Sequence, residues 1–438
     1  MAEITHARAG AMAPVAVTSE EATYSKVAWR LLPFLFLCYV FSYLDRVNVG
    51  FAKLQMLNDL KLSETVYGLG AGIFFIGYFL FEVPSNLIMY RVGARIWIAR
   101  IMVTWGILAS AMMFVRGPFS FYLLRFFLGA AEAGFIPGIL LYLTYWFPAK
   151  RRGKVMAIFL TGIPISGVIG GPLSGWILHQ FAGASGLPGW KWLFLLEGIP
   201  SLLAGVVAFF YLTDGIRAAR WVSEPEKRLL ESHVEAEKGA KQHHSMKDAF
   251  GEPKVWLLAI TYALFLMGLY GVSFWLPSLI KAAGVKDPLN VGLLTAIPYT
   301  VATVAMIATS YSSDRTRERR WHLAIAGFCG AVGLLGSVAF AGNTVLAIAA
   351  LSVAAAGICT TVSQFWNLPG SFLSGVAAAA GIAFVNSVGN VSGFIAPYMV
   401  GYVKDLTKST DAALIVIAAC IFLAGLLVFR LPAKLVNK

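Results

Sequence analysis

Long apolar runs alternate with short polar breaks along most of the chain. Runs bounded by charge or by Pro/Gly clusters fall at 30–53, 66–90, 96–115, 119–147, 153–181, 190–212, 255–280, 289–311, 321–341, 344–366, 370–403 and 410–431. Each has the roughly 20 residues that a helix needs to cross a bilayer. The pattern predicts an all-α integral membrane protein with twelve transmembrane helices. Two runs, 119–147 and 370–403, are long for one crossing and imply a tilted helix or an interfacial turn. The first 29 residues are polar and Ala-rich with no apolar stretch. The first run is therefore read as a span that stays, with no cleaved signal peptide.

One long hydrophilic segment, 213–254, interrupts the runs. It holds eight basic and eight acidic residues, including the helix-favouring EPEKRLLESHVEAEKGAK. It divides the chain into a tail (1–29), a six-helix half (30–212), a linker (213–254), a second six-helix half (255–431) and a tail (432–438). A repeat supports two equivalent halves. Arg91-Val-Gly-Ala-Arg95-Ile-Trp97 aligns with Arg315-Thr-Arg-Glu-Arg319-Arg-Trp321, each after the second run of its half. Ser166-Gly167 with Gly175-Trp176 aligns with Ser392-Gly393 with Gly401-Tyr402, each in the fifth run. Such repeats are how several transporters build a central cavity.

Composition removes the aqueous alternative. The 438 residues are 58% hydrophobic and 13% charged, with a mean hydropathy of +0.73. A soluble domain carries roughly 25% charged residues. The net charge of +13 reflects topology rather than nucleic-acid binding. Of 35 Lys and Arg, 25 fall in segments that are internal if the N-terminus is cytoplasmic, and 8 in segments then outside. That bias predicts both termini in the cytoplasm. Cys38, Cys329, Cys359 and Cys420 lie singly in apolar runs and read as packing residues. His233, His243 and His244 lie in the linker and read as solvated surface. No intramembrane His, Ser/His/Asp set or phosphate-cradling glycine loop points to an enzyme, and no appended signalling domain points to a sensor.

The two remaining basic residues, Arg46 and Arg125, sit inside runs, with Asp45 and Glu132. Charge at membrane depth is costly and marks function or a partner. Arg125 and Glu132 are seven apart, which returns to nearly the same helix face about 10 Å along. Arg46 and Arg125 can bind a carboxylate through planar, permanently charged guanidinium groups. Asp45 and Glu132 can take and release protons, and Asp45 either shares that role or holds Arg46. A substrate anion that occupies an Arg frees its acid to accept a proton, so substrate and proton favour each other's binding. The alternative is a set of neutralising pairs that only hold helices together.

Several motifs carry a family resemblance over about residues 25–432. Arg91-Val-Gly-Ala-Arg95, and Ser313-Asp314-Arg315 with Arg319-Arg320, resemble the loop signature of the major facilitator superfamily. The first copy departs from it: Met89 and Tyr90 stand where its Asp is expected. Phe41-Ser-Tyr-Leu-Asp45-Arg46-Val-Asn48, Arg125-Phe-Phe-Leu-Gly-Ala-Ala-Glu132-Ala-Gly-Phe-Ile-Pro137 and Tyr142-Leu-Thr-Tyr-Trp146-Phe147-Pro148 resemble its anion:cation symporters, which include tartrate, hexonate, glucarate and phthalate permeases. The resemblance implies twelve helices in two six-helix pseudo-repeats. It implies a monomer in a bacterial-type inner membrane that imports a small organic anion with a proton as coupling ion and no other cofactor. It also implies that the matching acids couple protons, the matching Arg residues touch substrate, and Tyr78 lines the site. Gly167-x-x-x-Gly171-Pro172-x-x-Gly175 resembles an exporter motif, which keeps an exchanger or exporter open as the alternative.

The second half has no convincing buried charge. Trp366, Asn386 and Asn390 are its binding candidates: amides hydrogen-bond hydroxyls and an indole stacks on a ring. Asn386 and Asn390 are four apart and share a helix face. Glu82 and Glu197 read as structural or gating residues. Arg91, Arg95, Asp314, Arg315 and Arg319 form the loop signature.

Overall fold

The computed structural model describes residues 20–239, 252–369 and 375–437. Most of the expected tail 1–29, part of the linker with His243 and His244, and the first residues of the run 370–403 lie outside them. The helices of the first half are α1 (Glu20–Val47), α2 (Val49–Leu60), α3 (Glu64–Val92), α4 (Ala94–Ala111), α5 (Pro118–Glu132), α6 (Phe135–Thr144), α7 (Ala149–Leu160), α8 (Gly162–Gln180) and α9 (Gly189–Tyr211). A linker helix α10 (Glu224–Gly239) follows. The second half comprises α11 (Pro253–Ala282), α12 (Pro288–Thr316), α13 (Arg320–Ala339), α14 (Thr344–Phe365), α15 (Gly375–Thr407) and α16 (Asp411–Val428). Among the described residues, eleven helical segments are long and apolar enough to cross a membrane. The crossing expected at 370–403 corresponds to α15, a single helix of 33 residues.

Three first-half crossings differ from their sequence pattern. The first is already helical at Glu20, ten residues before its apolar run, and acidic residues favour the first turn of a helix. Arg151 also holds Glu20 and Glu21 at 3.0 and 2.8 Å. The fifth crossing divides into α7 and α8 at Thr161. The run 119–147 is neither one tilted helix nor a helix with an interfacial turn. It breaks in the middle, where Ala133 is extended and Gly134 is left-handed at φ +84°. A side chain at Gly134 would be strained there and would strike Ser85. Pro137 falls in the first turn of α6, where no N–H is required of it.

The halves meet through two related pairs. α3 packs on α15 and α8 on α12, each joining the second crossing of one half to the fifth of the other. Small residues permit the approach. A Cβ on Gly175 would lie 2.7 Å from the Pro288 carbonyl oxygen, and one on Gly171 2.8 Å from that of Gly292. The glycines of the exporter-like motif are thus occupied in helix packing. The linker helix docks on the inner end of α1, where Lys26 pairs with Glu226 at 2.8 Å and the Tyr24 hydroxyl meets His233 Nδ1 at 3.0 Å. His233 is therefore partly packed rather than freely solvated.

At the end that the Lys/Arg bias places outside, charge ties the halves together. Glu64 accepts from Lys53 of α2 and from Lys404 of α15, both at 2.6 Å. Lys53 Nζ also lies 3.3 Å over the Trp275 ring of α11, a desolvated cation–π contact worth about 2 kcal/mol. Asp405 accepts from the Thr65 amide at 2.7 Å and its hydroxyl at 2.5 Å. Tyr67 donates to the Phe274 carbonyl at 2.8 Å. Glu64→Gln removes the charge that holds two lysines of opposite halves. Electron-spin distance measurements between labels at Lys61 and Lys408 are expected to show a longer population in this variant. A distribution identical to that of the unsubstituted chain would exclude this tie between the halves.

Candidate functional site

Asp45, Arg46, Arg125 and Glu132 all lie in the interior of the first half, and the fold sorts them into unlike surroundings. Asp45 and Arg46 are adjacent on α1, so their side chains leave the helix about 100° apart. Arg46 turns toward α5 and forms an ion pair with Glu132. The same Glu132 oxygen accepts from Ser42 at 2.7 Å, one turn before Arg46 on α1. Glu132 is fully buried at the last residue of α5, immediately before the break. Non-helical backbone at membrane depth is tolerated where it lines a cavity or is buried in protein. Here the break sets the carboxylate at a helix end rather than in mid-helix. The guanidinium of Arg46 faces the rings of Phe74, Tyr78 and Phe75 at 5.3, 5.4 and 5.9 Å.

Arg125 shares the α5 face with Glu132, as the seven-residue spacing predicts, but makes no carboxylate bond among the described residues. It is fully buried. Its Nε donates to the Gly70 carbonyl at 3.3 Å, and its Nη2 to those of Ala71 and Arg46 at 3.3 and 3.5 Å. Its guanidinium faces the rings of Phe74 and Phe274 at 4.9 and 6.0 Å. Arg46 Nε and Arg125 Nη1 are both buried without a hydrogen-bond partner, as is Glu132 Oε2. Two guanidinium groups thus keep unused donors beside one carboxylate.

Asp45 does not hold Arg46. Its Oδ2 accepts from Trp105 Nε1 of α4 at 2.7 Å and from Ser201 of α9. The structure therefore excludes the pairing left open by the sequence.

The second-half amides face the first half. Asn390 accepts from Tyr270 at 3.1 Å, and Tyr270 packs on Phe75 at 4.4 Å. Asn386 donates to Glu82 at 3.3 Å, a link between α15 and α3. Trp366 stands at the C-terminal end of α14 and packs on Tyr262, with ring centres 5.0 Å apart. Ser42 and Tyr270 join this layer without a signal in the sequence. A Ser or Tyr among apolar residues gives no signal until its partner is known.

The loop signatures lie apart from this layer. Arg91 and Arg315 are exposed. Arg319 pairs with Asp314 at 3.1 Å. The first copy lacks its Asp, and Asp214 supplies a carboxylate from the far side of α9. It accepts from the Arg95 amide at 2.9 Å, at the start of α4. In the second copy Glu318 is partly buried, which favours its neutral form. The Trp321 amide, His322 and Asn437 nevertheless hold its carboxyl below the usual range.

A sequence profile described as Major Facilitator Superfamily matches residues 35–397. The chain belongs to this superfamily. It is a multi-pass membrane transporter of a small molecule. A Pseudomonas putida protein named "Putative metabolite transport protein NicT" is 50% identical over 420 residues, covering 95% of this chain and 96% of the relative. An Agrobacterium vitis protein named "Putative tartrate transporter" is 48% identical over 413 residues, covering 94% and 93%. Among solved structures, a bacterial homolog of the human lysosomal transporter Spinster, inward-facing and occupied, superposes with a TM-score of 0.74. It covers 93% of this chain and 96% of that chain at 15% identity, a likeness of fold alone.

Ser42→Ala leaves the paired Glu132 oxygen with one donor fewer. A loss of about 1 kcal/mol is expected, read as a lower unfolding temperature of the purified transporter, with Ser42→Thr close to the unsubstituted chain. Equal unfolding of the Ala variant would remove this bond from the account.

Proposed function

We propose that this transporter is a proton-coupled symporter that imports a small organic anion across a bacterial inner membrane by alternating access. The observation that carries the reading is the buried Arg46–Glu132 pair. Removing one partner of such a pair costs about 3–5 kcal/mol, because the other charge is left uncompensated. A substrate carboxylate can replace Glu132 at Arg46, since it offers the same planar, bidentate geometry. Glu132 then lacks its counter-charge and takes a proton. Release of the anion on the inner side returns Arg46 to Glu132 and expels the proton. Substrate and proton are thus bound together or not at all, which is the linkage that symport requires.

Arg125 supplies a second permanent cation with a free donor. Tyr78, Tyr270 and Asn390 offer hydroxyl and amide groups in the same layer, and Asn386 and Trp366 extend the candidate set. This suits an anion with a carboxylate at one end and hydroxyls or a ring at the other. The names of the relatives, a tartrate transporter among them, support a hydroxy acid as the first ligand to try. With its glycines engaged against α12, the exporter-like motif offers no separate support for efflux.

Labelled tartrate, sugar acids and aromatic carboxylates offered to proteoliposomes under an inward proton gradient are expected to reveal one that accumulates. A protonophore should abolish that accumulation, and uptake indifferent to the gradient would overturn symport. Arg46→Ala and Arg125→Ala are expected to lose binding. Glu132→Gln is expected to keep substrate exchange and lose gradient-driven accumulation. Normal accumulation in that variant would remove Glu132 from the coupling role.

A further inference from the structure

Glu82, read from the sequence as structural or gating, is an interior acid that the Arg46–Glu132 exchange does not use. It is one turn from Tyr78 on α3, so the two side chains share a face. Asn386 and Asn390 stand in the same relation on α15. The helices run antiparallel, as the contacts of Glu64 with Asp405, Gly72 with Phe394 and Glu82 with Asn386 show. Their polar residues therefore form two rungs. One holds Tyr78 and Asn390, with Arg46 over the Tyr78 ring at 5.4 Å and Tyr270 donating to Asn390 at 3.1 Å. The other holds Glu82 and Asn386, about 6 Å nearer the inner end of α3.

Among the described residues Glu82 makes no ion pair. Arg46 acts on it electrostatically but is held by Glu132. Its Oε1 accepts from Asn386 Nδ2 at 3.3 Å. Strong charged hydrogen bonds are shorter, at about 2.7–2.9 Å, so this is a loose contact for a brace between helices. Its Oε2 accepts from none of the described residues, yet it is not one of the sealed-off polar atoms of the interior. Space therefore adjoins it. Asn386, Asn390 and Trp366 are likewise only partly buried. The acid also acts on the hydroxyls of Tyr78 and Tyr270, which places it beside the layer around Arg46. A carboxylate at membrane depth with one weak donor and open space beside it is short of donors.

We propose that Glu82, tethered by Asn386, sets which anions the site accepts: it takes hydrogen bonds from hydroxyl or N–H groups at the far end of a substrate whose carboxylate lies on Arg46. This deepens the symport reading and rests on Arg46 as the carboxylate anchor. A tail that donates fills the place of the missing donor, and the charge of the acceptor strengthens the bond. A second carboxylate there meets a like charge and brings no donor. The preferred class is a monocarboxylate with a hydroxylated or N–H-bearing tail long enough to span the two rungs. Diacids of the same length are disfavoured by repulsion and by the donors they lack. Shorter anions do not reach Glu82 and are not sorted by it.

The test is calorimetric titration of the purified protein with two matched pairs of anions. Gluconate and glucarate share a chain and differ at the far end, a hydroxyl against a carboxylate. 4-Hydroxybenzoate and terephthalate differ in the same way on a ring. The hydroxyl member is expected to bind about tenfold tighter than its diacid, the measure of one hydrogen bond to a charged group. Glu82→Gln keeps the shape, and its amide both accepts and donates, so the diacid should gain and the order level out or reverse. Glu82→Asp should keep the order. A brace between α3 and α15 would instead weaken all four anions alike in Glu82→Gln and leave the order intact, which would overturn the proposal. A diacid bound by the unsubstituted chain as tightly as its hydroxyl partner would overturn it without any variant, as would binding of none of the four. Arg46→Ala separates the two readings. Binding that survives it overturns the anchor and the proposal with it, whereas loss in Arg46→Ala with an unchanged order in Glu82→Gln overturns the role of Glu82 alone.

Discussion

A guanidinium and a carboxylate meet at the depth where the bilayer offers no water. Arg46 and Glu132 come from different helices, and neither charge is stable there alone. Much of the surrounding structure follows from keeping them together. Ser42 precedes Arg46 by one turn and supplies a second donor to the same oxygen. The rings of Phe74, Phe75 and Tyr78 wall the guanidinium. The chain interrupts a membrane helix at Ala133–Gly134, so that Glu132 ends α5 instead of lying within a longer helix. A pair that is costly to break, and that an incoming carboxylate can imitate, is suited to exchange rather than to permanent bracing.

The same economy of charge explains the two ends of the molecule. At the outer end, Glu64 holds lysines from both halves, and Trp275 covers one of them. These contacts cross between halves and so depend on their relative position. At the inner end, the loop signatures pin helix starts by carboxylates that accept backbone amides: Asp214 for α4 and Glu318 for α13. Those contacts stay within a half and move with it. Between the ends, glycines let α8 approach α12 closely, with the Tyr299 ring seated over Gly167.

The sequence by itself determined the class of fold. Apolar runs of membrane length, the Lys and Arg bias and the paired motifs of the two halves sufficed, because lipid leaves the backbone no option but the helix. It also singled out Arg46, Arg125, Asp45 and Glu132, since charge inside an apolar run is visible without coordinates. Only the tertiary structure decided which charges meet. Adjacency in sequence suggested Asp45 as a holder of Arg46, yet neighbours on a helix point about 100° apart. Asp45 therefore answers to Trp105 and Ser201, and Arg46 to Glu132. Ser42, Tyr270 and Asp214 gained their roles from partners on other helices, and the break at Gly134 lay hidden in a continuous apolar run. Hydropathy records how much of a residue can enter the membrane, whereas direction around a helix and the identity of the facing helix arise only when the helices pack.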